Sequence, residues 1–126
     1  MSSAWQVRPN APQRGTFLIT LDALDAVDEG VAIELRFGQG RMAFSMIVVK
    51  SRDGPRAFVN LCPHYSMPLD AGTGRFLNAN GMLECLQHFA LFRPEDGACV
   101  AGACEGASLD PIPLECDADG RLVIGG

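Results

Sequence analysis

An all-β fold with many turns is what this sequence predicts, and three observations carry that reading. Glycine (14) and proline (8) are plentiful among the 126 residues, and they fall between short β-rich runs. Residues 31–37, Val-Ala-Ile-Glu-Leu-Arg-Phe, alternate large apolar with polar side chains, the period-two pattern of a half-buried strand. Residues 44–50, Phe-Ser-Met-Ile-Val-Val-Lys, are almost continuously apolar, which suits a strand deeper in a sheet.

Taken in order, residues 1–15 read as a polar tail with Pro9 and Pro12, partly ordered by Trp5, and residues 16–126 as a single domain. Strands are expected over 16–20, 31–37, 43–50 and 56–61, joined by hairpin connections at 38–40 and at 51–55, where Asp53-Gly54 is a turn signal. Residues 21–30 fit either a short helix ending at Gly30 or a turn-rich approach to the next strand. Further strands are expected at 82–85, 90–93, 112–116 and 121–124, separated by Gly, Asp and Pro. The middle third is left as long loops.

The chain is long enough for one real core and too short for a core plus a second catalytic lobe. A net charge of −5 and a pI near 4.8 argue against a nucleic-acid surface, which needs clustered Lys and Arg. Between Glu95 and Asp119 lie seven carboxylates and no Lys or Arg. They form either a solvated face or a patch that steers a basic partner. No stretch approaches the roughly 20 apolar residues of a membrane span. The N-terminal residues lack the apolar region of a signal peptide, so a cytoplasmic protein is expected. Stable disulfides are uncommon there, and five cysteines point instead to metal binding or buried thiols.

The chemistry concentrates in two short motifs. Cys62-Pro63-His64 is a C-x-H pair, and Cys85-Leu86-Gln87-His88 is a C-x2-H pair further along the same loop-rich region. The only two histidines in the protein stand in these motifs, each near a cysteine. Two thiolates and two imidazoles can close a tetrahedral zinc site or divide between two irons, and spacing alone does not decide which.

The pair of motifs, with a proline inside the first and β-rich runs around both, resembles the Rieske iron–sulfur family. Asn60-Leu61-Cys62-Pro63-His64 with Pro68-Leu69 is similar to that family's first cluster loop. Cys85-x-x-His88-x-x-x-Phe92, Gly97 and Leu109-x-x-Ile112-Pro113-Leu114 are similar to its second loop and return strand. The likeness covers residues 30–124. It implies an antiparallel β-sandwich or barrel with a small cluster-binding subdomain of two loops over about residues 60–95. It also implies one [2Fe–2S] cluster, with Cys62 and Cys85 on the inner iron and His64 and His88 on the outer iron. The chain departs from the family at Ser66 and Phe89, where relatives carry glycine.

The resemblance also implies which kind of centre this is. The disulfide of respiratory relatives would fall at Met67 and Gln87, and their sulfur-facing hydroxyls at Ala90 and Phe92, so this chain has neither feature. Loss of those hydrogen bonds implies a potential in the lower half of the range of roughly −150 to +300 mV. Such behaviour belongs to ferredoxins that serve oxygenases. The potential is expected to fall as pH rises, because histidine ligands lose protons more readily when the centre is oxidised. Cys99 and Cys104 lie in a Gly-rich stretch similar to a third loop beside the cluster and are expected as thiols, and Cys116 as a small buried hydrophobe. Tyr65, Met67, Phe89 and Leu91 flank the ligands, either packing on the domain or forming an apolar rim for a partner.

The function implied is a soluble, monomeric one-electron carrier, not itself an enzyme, between a flavoprotein reductase and a terminal oxygenase of the aromatic-ring-hydroxylating kind. Docking is expected near His64 and His88. An oxygenase in its own right would need a second iron site, and both histidines are already committed. The alternatives are a Rieske small subunit of a larger redox enzyme and a zinc-stabilised interaction domain built on the same four residues.

Overall fold

The structure is a computed structural model that describes residues 4–27, 32–62, 68–69, 76–78, 81–85, 90–102 and 106–125. A 3-10 turn at Ala4–Val7 precedes β1 (Phe17–Thr20), α1 (Leu21–Asp25) and β2 (Ile33–Phe37). A second 3-10 turn, Gly40–Met42, leads into β3 (Phe44–Ser51) and β4 (Gly54–Val59). Then follow β5 (Leu83–Glu84), β6 (Leu91–Phe92), β7 (Cys99–Ala101), β8 (Pro111–Ile112), β9 (Leu114–Cys116) and β10 (Arg121–Ile124). The described strands form three antiparallel sheets, ordered β1-β10-β9, β2-β3-β4-β8 and β5-β6-β7. Among the described residues none of the sheets closes into a barrel, so the expected sandwich stands and the barrel alternative falls.

Strand β3 organises the layers. Met46, Ile47, Val48 and Val49 are all fully buried. Successive side chains on a strand point to opposite faces, so these four divide between two cores. Met46 and Val48 join Leu18, Leu122 and Ile124 from the β1-β10-β9 sheet. Ile47 and Val49 join Leu83, Phe92 and Cys99 from the β5-β6-β7 sheet. Strand β4 repeats the division, with Ala57 and Val59 in the first core and Phe58 in the second. The middle sheet is therefore covered on both faces, which is why 44–50 reads as an almost unbroken apolar run. Each such side chain contributes about 1.5–3 kcal/mol on burial. Strand β2 lies at the edge, with Ile33, Leu35 and Phe37 packed against one core, and it keeps its alternation.

The smaller elements follow from local chemistry. Helix α1 is capped by Thr20, whose Oγ1 accepts the Ala23 N–H at 3.1 Å. Five residues cannot hold a helix unaided, and Leu24, 1% exposed, pins it to the first core. The segment is thus a short helix, shorter than the expected span; Gly30 lies outside the described residues. Residues 4–15, read from sequence as a tail, are laid on the domain. Trp5 is 2% exposed and tilts against Phe44 with ring centroids 6.1 Å apart, and the Gly15 N–H donates to the Ile124 carbonyl at 2.8 Å.

Two departures from the sequence reading have clear causes. The strand expected over 112–116 is broken at Pro113 into β8, paired with β4, and β9, paired with β10. Proline has no N–H to give a ladder, so the chain changes sheets there. Strand β7 had no β-rich signature because it runs through a glycine-rich stretch. It is held by close approach instead: Gly97 has φ +75°, and a Cβ placed on it would meet Phe58 Cε1 at 2.7 Å.

Candidate metal centre

Both cysteines of the two motifs sit at the ends of strands and in the same place. Cys62 follows β4 and Cys85 follows β5, both are fully buried, and both belong to the core that also holds Phe58, Leu69 and Phe92. Two thiols sharing one apolar cluster supply the soft donors a cluster or a zinc ion prefers. Their partners His64 and His88 lie outside the described residues, as do Tyr65, Ser66, Met67 and Phe89. The described residues alone therefore present no group of three or more metal-ligating side chains.

The first loop is closed by side-chain chemistry. Asn60, 1% exposed, uses its Oδ1 to accept the Leu69 N–H at 3.0 Å, joining the two ends of the segment that contains Cys62. Its Nδ2 donates to Ser45 Oγ at 3.1 Å and reaches Glu34 Oε2 at 3.5 Å. The Ser45 hydroxyl donates to the same carboxylate oxygen at 2.5 Å, and Arg36 Nε donates to it at 3.0 Å. A polar chain from β2 through β3 to the end of β4 thus terminates on the loop. Leu69 itself is fully buried in the core of the two cysteines.

The second loop is closed by backbone ladder. Leu83 faces Phe92 and Glu84 faces Leu91 across the β5–β6 pair, and the Cys85 N–H donates to the Ala90 carbonyl at 2.9 Å. The chain between these last two residues, 86–89, carries His88 and lies outside the described residues. Phe76 accepts from the Glu84 N–H at 2.8 Å, and Leu77 bridges to Leu83, so the return of the first loop is tied to the root of the second. A third segment presses from behind. Gly102, at φ +99°, lies so near Ala90 that an added Cβ would come within 2.8 Å of its Cα.

Ala90 and Phe92, which the resemblance sets where hydroxyls are expected in the respiratory type, are 1% and 0% exposed in the core of the cysteines. Leu91 is half-buried. Cys99 is a buried thiol whose Sγ lies 3.3 Å from the Ala101 carbonyl; Cys104 lies outside the described residues. Cys116 overturns its expectation: it is exposed. It ends a three-residue strand at the edge of its sheet, beyond the reach of the core that Leu114 still touches.

The acidic stretch also changes character in three dimensions. Asp96 pairs with Arg93, Glu115 with Arg14 at 3.8 Å, and Asp117 and Asp119 with Arg121 at 2.8 and 3.4 Å. The Arg93 guanidinium and then the Ala98 N–H hold the Asp96 carboxyl below the ordinary carboxylate range. The backbone N–H of Arg121, with its guanidinium, does the same for Asp117. The cations come from just outside 95–119 or from the N-terminal segment, where the sequence run does not show them.

The family model for the Rieske [2Fe–2S] domain matches residues 19–113, a span that contains both Cys/His motifs. Among solved structures, a ferredoxin of Sphingomonas yanoikuyae B1 aligns with a TM-score of 0.63 at 21% identity, covering 89% of this chain and 98% of that one. The ferredoxin of carbazole 1,9a-dioxygenase from Nocardioides aromaticivorans IC177 aligns with a TM-score of 0.60 at 24% identity, covering 90% and 96%. A putative NADH-dependent nitrite reductase small subunit from Mycobacterium tuberculosis aligns with a TM-score of 0.59 at 19% identity, covering 90% and 95%. These likenesses show the fold. No curated protein matches the chain.

Proposed function

The chain belongs to the Rieske [2Fe–2S] domain family, whose cofactor is one [2Fe–2S] cluster held by two cysteines and two histidines, and from that premise we propose that it is a one-electron carrier of the ferredoxin kind. Bound there, the cluster would supply reversible one-electron chemistry. Cys62, His64, Cys85 and His88 would be its ligands in this reading, with Cys62 and Cys85 held in the core.

The single observation that carries the proposal is the shared burial of Cys62 and Cys85 in one apolar core at the roots of two loops. Each is followed within three residues by one of the protein's two histidines. The apolar surroundings limit water at the sulfurs. The carrier takes an electron from a flavoprotein reductase and delivers it to a terminal oxygenase, of the kind that hydroxylates aromatic rings. Two structural neighbours of matching length, the Sphingomonas and Nocardioides ferredoxins, support this setting. In this reading the carrier works as a soluble cytoplasmic monomer; among the described residues no helix is long and apolar enough to cross a membrane.

Reductive titration of the iron-loaded protein tests this directly. One electron per chain, with reoxidation by an oxygenase of the ring-hydroxylating class, is the expected result. A protein that takes up no electrons contradicts it. Similarity to the nitrite reductase small subunit favours one second reading, a permanent subunit of a larger redox enzyme. Purification from its own cells separates the two: a carrier elutes alone, and a subunit elutes with its large partner.

A further inference from the structure

The chain carries a net charge of −5, yet the surface beside the first loop is cationic. A cleft of about 470 Å3 is lined by Arg8, Arg36 and Arg41 together with Met42, Leu61 and Pro68, and among the described residues none of its lining is acidic. Leu61 and Pro68 bracket the segment that begins with Cys62, so the cleft is continuous with the root of the first loop. Arg36 already pairs with Glu34. Arg8 and Arg41 have no carboxylate partner among the described residues, whereas Arg14, Arg93 and Arg121 each do. Intramolecular pairing thus neutralises much of the acidic stretch while leaving two exposed guanidinium groups pointed at one cleft.

We propose that this cleft docks an acidic segment of a redox partner protein, one that carries an apolar side chain beside its carboxylates. The proposal rests on the electron-carrier reading given above. Guanidinium groups match carboxylates in planar, paired hydrogen bonds, and like charge excludes basic competitors. Met42, 59% exposed at the rim, offers a polarisable, adaptable contact for an apolar side chain. A partner held here sits beside Leu61 and Pro68, the residues on either side of the segment that begins at Cys62. Charge complementarity at such a site raises the encounter rate and fixes orientation more than it raises affinity. The overall negative charge of the chain would otherwise repel such a segment.

The test uses iron-loaded protein and a fluorescently labelled peptide of alternating Glu and Leu, with binding read by anisotropy at low and high salt. Arg8→Glu and Arg41→Glu are each expected to weaken binding by about fivefold or more. Arg52→Glu makes the same charge change on an exposed arginine outside the cleft and is expected to weaken it by less than about twofold. Equal weakening by all three variants, or no binding by the unaltered protein, overturns the proposal. So does inorganic pyrophosphate binding through Arg8 and Arg41 where the peptide does not bind, which marks a small-anion site. Iron content and visible spectrum, recorded on the same samples, keep the two readings apart. An iron-loaded protein that ignores the peptide loses the cleft alone. A colourless protein that binds it through Arg8 and Arg41 keeps the cleft for an acidic segment but overturns the electron carrier, and with it the redox role of the partner.

Discussion

The Asn60 side-chain oxygen accepts the backbone N–H of Leu69 at 3.0 Å, so one buried amide joins the two ends of the segment that carries Cys62. The same side chain is anchored through Ser45 and Glu34 to the two strands beside it. Loop position is thereby tied to the best-buried part of the fold.

Replacing Asn60 with alanine strands the Leu69 N–H in a buried setting and removes the Ser45 contact. A loss of about 1–3 kcal/mol in unfolding free energy is expected, measured by urea denaturation. Iron should also leave the variant faster during chelation, because the first loop loses its clasp. Unchanged stability and unchanged iron release would show that the network is ornamental.

Gly102→Ala is expected to harm the root of the second loop. The residue has φ +99°, and the added Cβ meets backbone of Ala90, which has no flexible end to move aside. Left-handed strain and overpacking together cost about 2–4 kcal/mol. Gly106 also has a positive φ, and among the described residues nothing lies within 4 Å of an added Cβ, so Gly106→Ala should cost only the conformational part. Comparing the two melting temperatures separates strain from collision.

Trp5→Ala tests whether the N-terminal segment belongs to the domain. Trp5 packs with Leu24 and Phe44 in the first core, and its loss should cost about 3–5 kcal/mol. The visible spectrum of the loaded protein should stay unchanged, since the cysteines lie in the other core.

Acid should weaken the fold through Asp96 and Asp117. Both have pKa values lowered in the folded protein, so their contribution is present above the ordinary carboxylate value near 4 and is lost as pH falls through their folded values. Asp96→Asn with Asp117→Asn should flatten the acid side of a stability-against-pH curve and leave its slope above about pH 6 unaltered. An equally steep acid side would assign the loss to other groups.

The two Cys/His motifs were legible because each is local in sequence, and the structure brings their cysteines into one core. Cys62 and Cys85 stand within three residues of the two histidines, and the alternation of 31–37 against the continuous run of 44–50 foretold a half-buried strand and a deeper one. What stayed hidden is non-local. Glu34, Ser45 and Asn60 lie on or beside three different strands, and nothing in their spacing shows that they meet. An Asn two residues before the Cys-x-His motif was the one available signal. Arg14 and Glu115 are likewise joined only by the fold, which is why a run of seven carboxylates looked like an unneutralised patch. Cys116 was misread because alternation with Leu114 fixes a face and does not say where the core ends.

The most direct test of the central claim is the absorption and EPR spectrum of the purified protein, before and after dithionite. A Rieske cluster on these four residues gives visible charge-transfer bands that bleach on reduction. A rhombic EPR signal should then appear, with an average g below that of all-cysteine clusters. A colourless, EPR-silent protein with stoichiometric zinc would contradict it, leaving a metal-stapled binding domain on the same four residues.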